Sequence, residues 1–163
     1  MEQGTQSAAE IEIEGFAVDE GVRRTMEVEV DDATVRFADA EMCRARAAAE
    51  QHFGITLTGA EGAGFFRYTA GGFYRPHRDS LDEAGDAFVR RITVVIFLGT
   101  AGGDPAVADC VGGALRLHGD DDGAQPVDIT PEQGTLVAFP SDVLHEVLPV
   151  EGGVRDVVVD RFY

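Results

Sequence analysis

The spacing of apolar and polar residues changes character twice along the chain. Near the start, Ile11, Glu12, Ile13 and Glu14 alternate, and Thr25 to Val30 alternates again. A period of two marks a half-buried strand. From Asp39 onward Met42, Ala45, Ala49 and Phe53 fall at helical spacing. Asp39 suits the N-cap of that helix and Gly54 its C-terminal cap. His52 then lies in the last turn, where a cation favours the helix dipole.

After Gly54 the pattern becomes one of short apolar runs: Phe65 to Thr69, Phe73 to Asp79, Val89 to Leu98, Ala114 to His118, Thr135 to Phe139, Leu144 to Val150 and Val154 to Phe162. Turn-forming clusters separate them, at Ala70-Gly71-Gly72, Gly99 to Gly113, Gly119 to Gly123 and Glu151-Gly152-Gly153. Seven or eight short strands and one principal helix predict a mainly β (α+β) fold: a sandwich, barrel or jelly roll. Periodicity does not choose among these. With no internal repeat and no Pro/Ser-rich linker, residues 1–163 read as a single domain, with 1–21 as a peripheral N-terminal segment.

Composition narrows the function. Hydrophobic residues make up 44% and charged residues 26% of 163 positions, a globular balance. No apolar run approaches the roughly 20 residues of a membrane span. The opening MEQGTQSAAE lacks the basic start and apolar stretch of a secretory signal. Cys43 and Cys110 lack CxxC spacing, so a cytoplasmic setting is expected, with Cys43 an inert buried thiol in the helix packing. Thirteen basic residues against thirty acidic ones give a net charge of −17. That sign repels phosphate backbones and anionic membranes, which excludes nucleic acid and membrane surfaces as partners.

Candidate chemistry centres on His77-Arg78-Asp79. Residues two apart on a strand project from one face, which sets an imidazole beside a carboxylate. A second histidine from a neighbouring strand would complete a two-histidine, one-carboxylate triad with three adjacent metal positions open. His145, in the run Val143-Leu144-His145-Glu146-Val147, is the candidate. His118 and His52 read as structural, Tyr74 as a pocket wall, and Arg91 as either structural or substrate-holding.

The stretch from Phe66 to Asp79 resembles the RY-x-x-G-x-FY-x-PH-x-D segment of the prolyl 4-hydroxylase-like 2-oxoglutarate/Fe(II) oxygenases. The resemblance continues in order. The run from Arg91 to Leu98 is similar to the family's R-x-x-T-x-x-x-YL strand, with Phe97 for Tyr. Gly112-Gly113-Ala114-Leu115 resembles its GG-x-L. Pro140 with His145 to Val150 resembles its P…H-x-V-x-PV. The match spans roughly Val22 to Tyr163.

The resemblance implies a double-stranded β-helix (jelly roll, cupin-like) with the helix packed outside. It implies Fe(II) held by His77, Asp79 and His145. Arg155, ten residues after His145, would pair with the distal carboxylate of 2-oxoglutarate, and Tyr68 would donate a hydroxyl to the same molecule. A guanidinium suits that task because it is a rigid two-pronged donor. The implied reaction hydroxylates an unactivated C–H bond of a small molecule, amino acid or peptidyl (prolyl-like) substrate and releases succinate and CO2. Ascorbate would be a stimulant. Related halogenases carry Gly or Ala at the carboxylate position, so Asp79 favours hydroxylation. A cupin-like metal protein that does not use 2-oxoglutarate is the alternative, and it gives no reason for Arg155 and Tyr68. The last strand departs from the family's uncharged pattern ending in Trp-Phe, and Asp156 and Asp160 bear on the pocket rim and substrate side. The 80–86 and 99–113 segments are candidate lids. Oligomeric state is not legible.

Overall fold

The computed structural model describes residues 6–8, 21–80, 89–99, 110–120 and 123–163. Its one helix among them, α1 (Asp32–Phe53), starts eight residues earlier than the sequence predicts. Asp31, not Asp39, is the N-cap, and its side chain accepts the Thr34 backbone N–H at 2.8 Å. The apolar stripe therefore runs back to Ala38 and buries Ala38, Met42, Ala45 and Ala49. Gly54 closes the helix in the left-handed conformation with φ 64°, as expected of a C-terminal glycine. Cys43 corrects another expectation: it sits off the stripe and is exposed.

Three antiparallel sheets follow from the apolar runs. The largest has six strands in the order β1 (Gln6–Ala8), β3 (Met26–Val28), β4 (Gly64–Thr69), β13 (Val154–Phe162), β6 (Ile92–Phe97) and β10 (Leu136–Pro140). The second has five: β2 (Arg23–Arg24), β5 (Phe73–His77), β11 (His145–Val147), β8 (Leu115–Leu117) and β9 (Val127–Ile129). A two-stranded ribbon joins β7 (Val111–Gly112) to β12 (Val150–Gly152). β2, β7 and β9 were not legible as apolar runs, β7 falling inside a stretch read as loop. Leu144 to Val150 divides between β11 and β12. The alternating segment at Ile11 to Glu14 lies outside the described residues, as does most of both candidate lids.

Alternation along β13 shows how the layers stack. Val158 and Phe162 join Ile92, Val94 and Ile96 against the α1 stripe. Val157 faces the other way, into a second core with Val95, Phe97 and Phe139 from the large sheet and Leu115 and Val147 from the small one. The large sheet thus carries the helix on its outer face and the small sheet on its inner face, a jelly roll with one helix outside. Arg155 and Arg161 share the parity of Val157, while Asp156 and Asp160 share that of Val158. Asp156 and Asp160 are buried on the helix side. There Asp156 takes both prongs of Arg67, at 2.8 and 2.7 Å, and Asp160 accepts the Gly62 N–H.

Candidate metal and cosubstrate site

The strand β5 ends at His77, so Asp79 lies just beyond it rather than on it. Its backbone N–H donates to Ser141 O at 2.9 Å, which docks the turn against the end of β10. His145 opens β11 and is the register partner of His77. One residue on β11, Glu146, opposes two on β5, because Tyr74 pairs with Val147. This bulge encloses Arg75 and Pro76, and Pro76 has no N–H to contribute to the ladder. The extra residue turns Tyr74 onto the same face as His77, where the two rings stack with centroids 3.6 Å apart.

His77, Asp79 and His145 converge there, with their potential ligand atoms within 4.8 Å of one another. His77 Nδ1 donates to Arg75 O at 2.8 Å and His145 Nδ1 donates to Val143 O at 2.9 Å. A carbonyl only accepts, so both rings carry their proton on Nδ1 and leave Nε2 as a lone pair. Those Nε2 atoms lie 3.7 and 3.6 Å from the two oxygens of Asp79. These separations are too long for hydrogen bonds, so two lone pairs and a carboxylate face one another unbonded. Burial pushes the His77 imidazole down to about 4, with neighbouring His145 adding to the effect, and burial also lowers His145. Neutral imidazoles, one carboxylate and no competing proton make a donor set that fits a divalent transition metal such as Fe(II).

The carboxylate is braced from behind. Thr93 donates its hydroxyl to Asp79 Oδ2 at 2.8 Å, and Thr93 and Ser141 share a 3.0 Å hydrogen bond. Arg161 Nε approaches Asp79 Oδ1 at 3.2 Å, an ion pair without hydrogen-bond alignment. Burial raises the Asp79 carboxyl, but Arg161, His145, Thr93 and His77 outweigh it and hold the group below its ordinary value. Arg90 donates to Asp79 O at 3.1 Å. Arg90, three residues before Thr93, is thus the arginine of the R-x-x-T pattern, whereas Arg91 is exposed. Phe139 meets His145 edge-on at 4.8 Å.

Arg155 and Tyr68 are register partners on β13 and β4 and face the inter-sheet core. Arg155 is only 2% exposed, and its guanidinium has no hydrogen-bond or ion-pair partner among the described residues. It rests over the rings of Tyr68 and Phe97, 4.9 and 5.1 Å from their centroids. A buried cation without an anion costs several kcal/mol, which an acidic ligand would recover. The Gly112-Gly113 pair makes room for it: both have positive φ, and a Cβ on Gly113 would stand 3.1 Å from Arg155 Cδ.

Of the other singled-out residues, His118 is not part of the converging group and bonds Glu146 at 3.0 Å. Thr93, Ser141, Arg90 and Arg161 were missed by sequence reasoning. The two β-strand positions among them, Thr93 and Arg161, had a signal, since period two puts Arg161 on the face of Arg155.

A jelly roll whose inner face joins two histidines to a carboxylate defines a mononuclear metal oxygenase scaffold. The sequence profile of the 2OG-Fe(II) oxygenase superfamily matches residues 63–162, and the chain belongs to that family. It is a 2-oxoglutarate- and Fe(II)-dependent oxygenase, which displaces the cupin-like alternative. The chain is similar to a prolyl-4-hydroxylase from Pseudomonas putida, at 30% identity over 88% of this chain and 73% of that one, with a TM-score of 0.66. The fold is also shared with a viral collagen prolyl hydroxylase from Paramecium Bursaria Chlorella virus-1, at 20% identity over 86% and 79% of the two chains, TM-score 0.65. A prolyl hydroxylase from Trichoplax adhaerens, solved with a hypoxia inducible factor peptide, aligns at 20% identity over 87% and 64%, TM-score 0.67. No curated protein matches the chain in sequence.

Proposed function

We propose that His77, Asp79 and His145 hold Fe(II), that Arg155 and Tyr68 hold 2-oxoglutarate, and that the protein hydroxylates an unactivated C–H bond. The observation that carries this reading is the convergence of two Nδ1-protonated histidines on a braced carboxylate. When bound, iron and 2-oxoglutarate supply oxidation by dioxygen, with one oxygen atom going to succinate, CO2 lost, and the other oxygen atom going to the substrate.

The chain's own residues do the rest. Arg75 O and Val143 O hold the imidazoles in the tautomer that presents Nε2. Thr93 and Arg161 keep the Asp79 carboxylate ionised and oriented. Arg155 supplies the counter-charge for the far carboxylate of 2-oxoglutarate. Phe97, Leu115, Phe139 and Val157 keep water from the inner core.

The substrate reading is a small molecule, a free amino acid or a prolyl-like residue, supported by the likeness to prolyl hydroxylases. The charge of −17 and the absence of paired cysteine spacing support a cytoplasmic setting and no nucleic-acid partner.

The test is anaerobic titration with Fe(II) and 2-oxoglutarate, followed by oxygen and measurement of succinate. Slow succinate release without added substrate is expected from the wild-type protein, and none from Asp79→Ala. Failure of the iron-loaded wild type to form succinate under any condition sinks the reading.

A further inference from the structure

Three buried arginine Nε atoms, of Arg23, Arg155 and Arg161, have no hydrogen-bond partner among the described residues. All three belong to the space between the two sheets. Arg155 and Arg161 reach it from the inner face of β13, and Arg23 from β2 at the edge of the small sheet. In a chain of net charge −17, this concentration of cations on one inner face runs against the composition.

Anions for two of them are accounted for. Arg161 lies 3.2 Å from Asp79 and 3.9 Å from Glu61. Arg155 awaits the distal carboxylate of 2-oxoglutarate. Arg23 is left over. Its guanidinium carbon sits 4.6 Å from the centroid of Phe66 on the large sheet and 4.8 Å from that of Tyr74 on the small one. The two rings grip it by their faces, which fixes the plane of the fork without offering it an acceptor. Tyr74 in turn stacks on His77, so Arg23 stands one aromatic ring away from the metal triad.

We infer that the substrate is an organic acid, bound as its carboxylate by Arg23 with its carbon skeleton packed along Tyr74. This rests on the oxygenase reading above and narrows its substrate to a free amino acid or other small carboxylic acid. A prolyl residue inside a peptide chain, whose carboxyl is an amide and whose side chain is uncharged, does not supply the missing charge. Arg23 is then a specificity-determining residue, since an uncharged substrate would leave its buried Nε–H without an acceptor.

The experiment uses the full chain loaded anaerobically with Fe(II) and 2-oxoglutarate. Calorimetry measures binding of free α-amino acids and short aliphatic carboxylic acids, each paired with its primary carboxamide, and of a capped prolyl peptide. At least one acid is expected to bind, with its carboxamide weaker by about tenfold or more. Arg23→Gln should erase that preference, and Arg23→Lys should restore part of it, because lysine keeps the charge but loses the fork. Circular dichroism of both variants checks the fold. The inference is overturned if no acid binds, if the carboxamides or the capped peptide bind as well as the acids, or if Arg23→Gln leaves the preference intact. An acidic residue of the chain itself pairing with Arg23 would show as the second of these results. Substrate-free succinate release by the wild type tells the two failures apart: with it present, only the carboxylate inference falls.

Discussion

His145 stands directly opposite His77 in the β5–β11 ladder, and their ring centroids are 4.2 Å apart. That pairing joins residues 68 positions apart in sequence, and it holds only in one register. A slip of one residue would turn one imidazole to the outer face of the small sheet. The ladder therefore fixes the two nitrogen donors, and the turn after β5 brings the oxygen donor to them.

The brace behind that oxygen donor is open to test. Thr93 is fully buried, and its hydroxyl reaches Asp79 Oδ2 at 2.8 Å. Thr93→Val keeps the shape and removes the donor. Fe(II) affinity should fall by about 10- to 100-fold, the usual scale for losing a partner of a metal-binding side chain. Anaerobic Fe(II) titration reads this directly, and unchanged affinity would mean that Arg161 alone suffices to orient the carboxylate.

Acid should destabilise the metal-free protein over a defined window. The His77 imidazole lies at about 4 in the fold, against 6.5 ordinarily. Between those values the unfolded chain takes up a proton that the folded chain refuses, so stability rises with pH. This contribution is complete above about pH 6.5 and is lost as the pH falls toward about 4, a change of about 3 kcal/mol. The lowered His145 imidazole acts in the same sense, and the lowered Asp79 carboxyl extends the loss to more acid pH. Urea unfolding in chelator at about pH 7.5 and about pH 4.5 measures it, and His77→Gln should flatten the dependence.

How much of this was legible follows from what each signal needs. The proposed metal donors lie in a short HxD motif and a strand-like apolar run, and their family context is ordered along the chain, so His77, Asp79, His145, Arg155 and Tyr68 could be singled out as candidates from sequence. The helix start could not be placed, because Val35 and Phe37 lie off the buried stripe and broke the apolar pattern before Ala38. The short strands β2, β7 and β9 carry too few residues to show a period. Arg23 was invisible for that reason: its place comes from pairing with Tyr74, 51 positions away.

The helix face of β13 offers a structural control. Arg67 holds the buried Asp156 with two hydrogen bonds, on the side of the sheet opposite Arg155. Arg67→Ala leaves that carboxylate buried and unpaired and should cost about 3 kcal/mol. Chemical denaturation should show the loss, while 2-oxoglutarate affinity, measured below the unfolding transition, stays near the wild-type value. A matching drop in affinity would mean that the two faces of β13 are coupled.

Arg155 should trade stability for cosubstrate binding. Its guanidinium is 2% exposed, lacks any acceptor among the described residues and is pushed down in pKa by burial, which is the signature of a charge held at a cost. The rings of Tyr68 and Phe97 return only about 1 kcal/mol each through their faces. Arg155→Met preserves most of the volume and removes the charge. Without ligand, the variant should therefore be more stable than the wild type by about 1–3 kcal/mol, as when buried ions are replaced by apolar side chains of similar size. For a chain of this size that raises Tm by about 2–4 °C per kcal/mol. Affinity for 2-oxoglutarate should move the other way, weakening by one to several orders of magnitude, on the scale of about 2–5 kcal/mol for truncating one member of a buried charge pair. Fe(II) affinity should hardly change, because Arg155 touches none of the three metal donors. Calorimetric melting with and without 2-oxoglutarate separates the effects: the wild type should gain Tm with ligand, and the variant should start higher and gain nothing. A variant that melts lower than the wild type without ligand would show that the described fold already satisfies this charge.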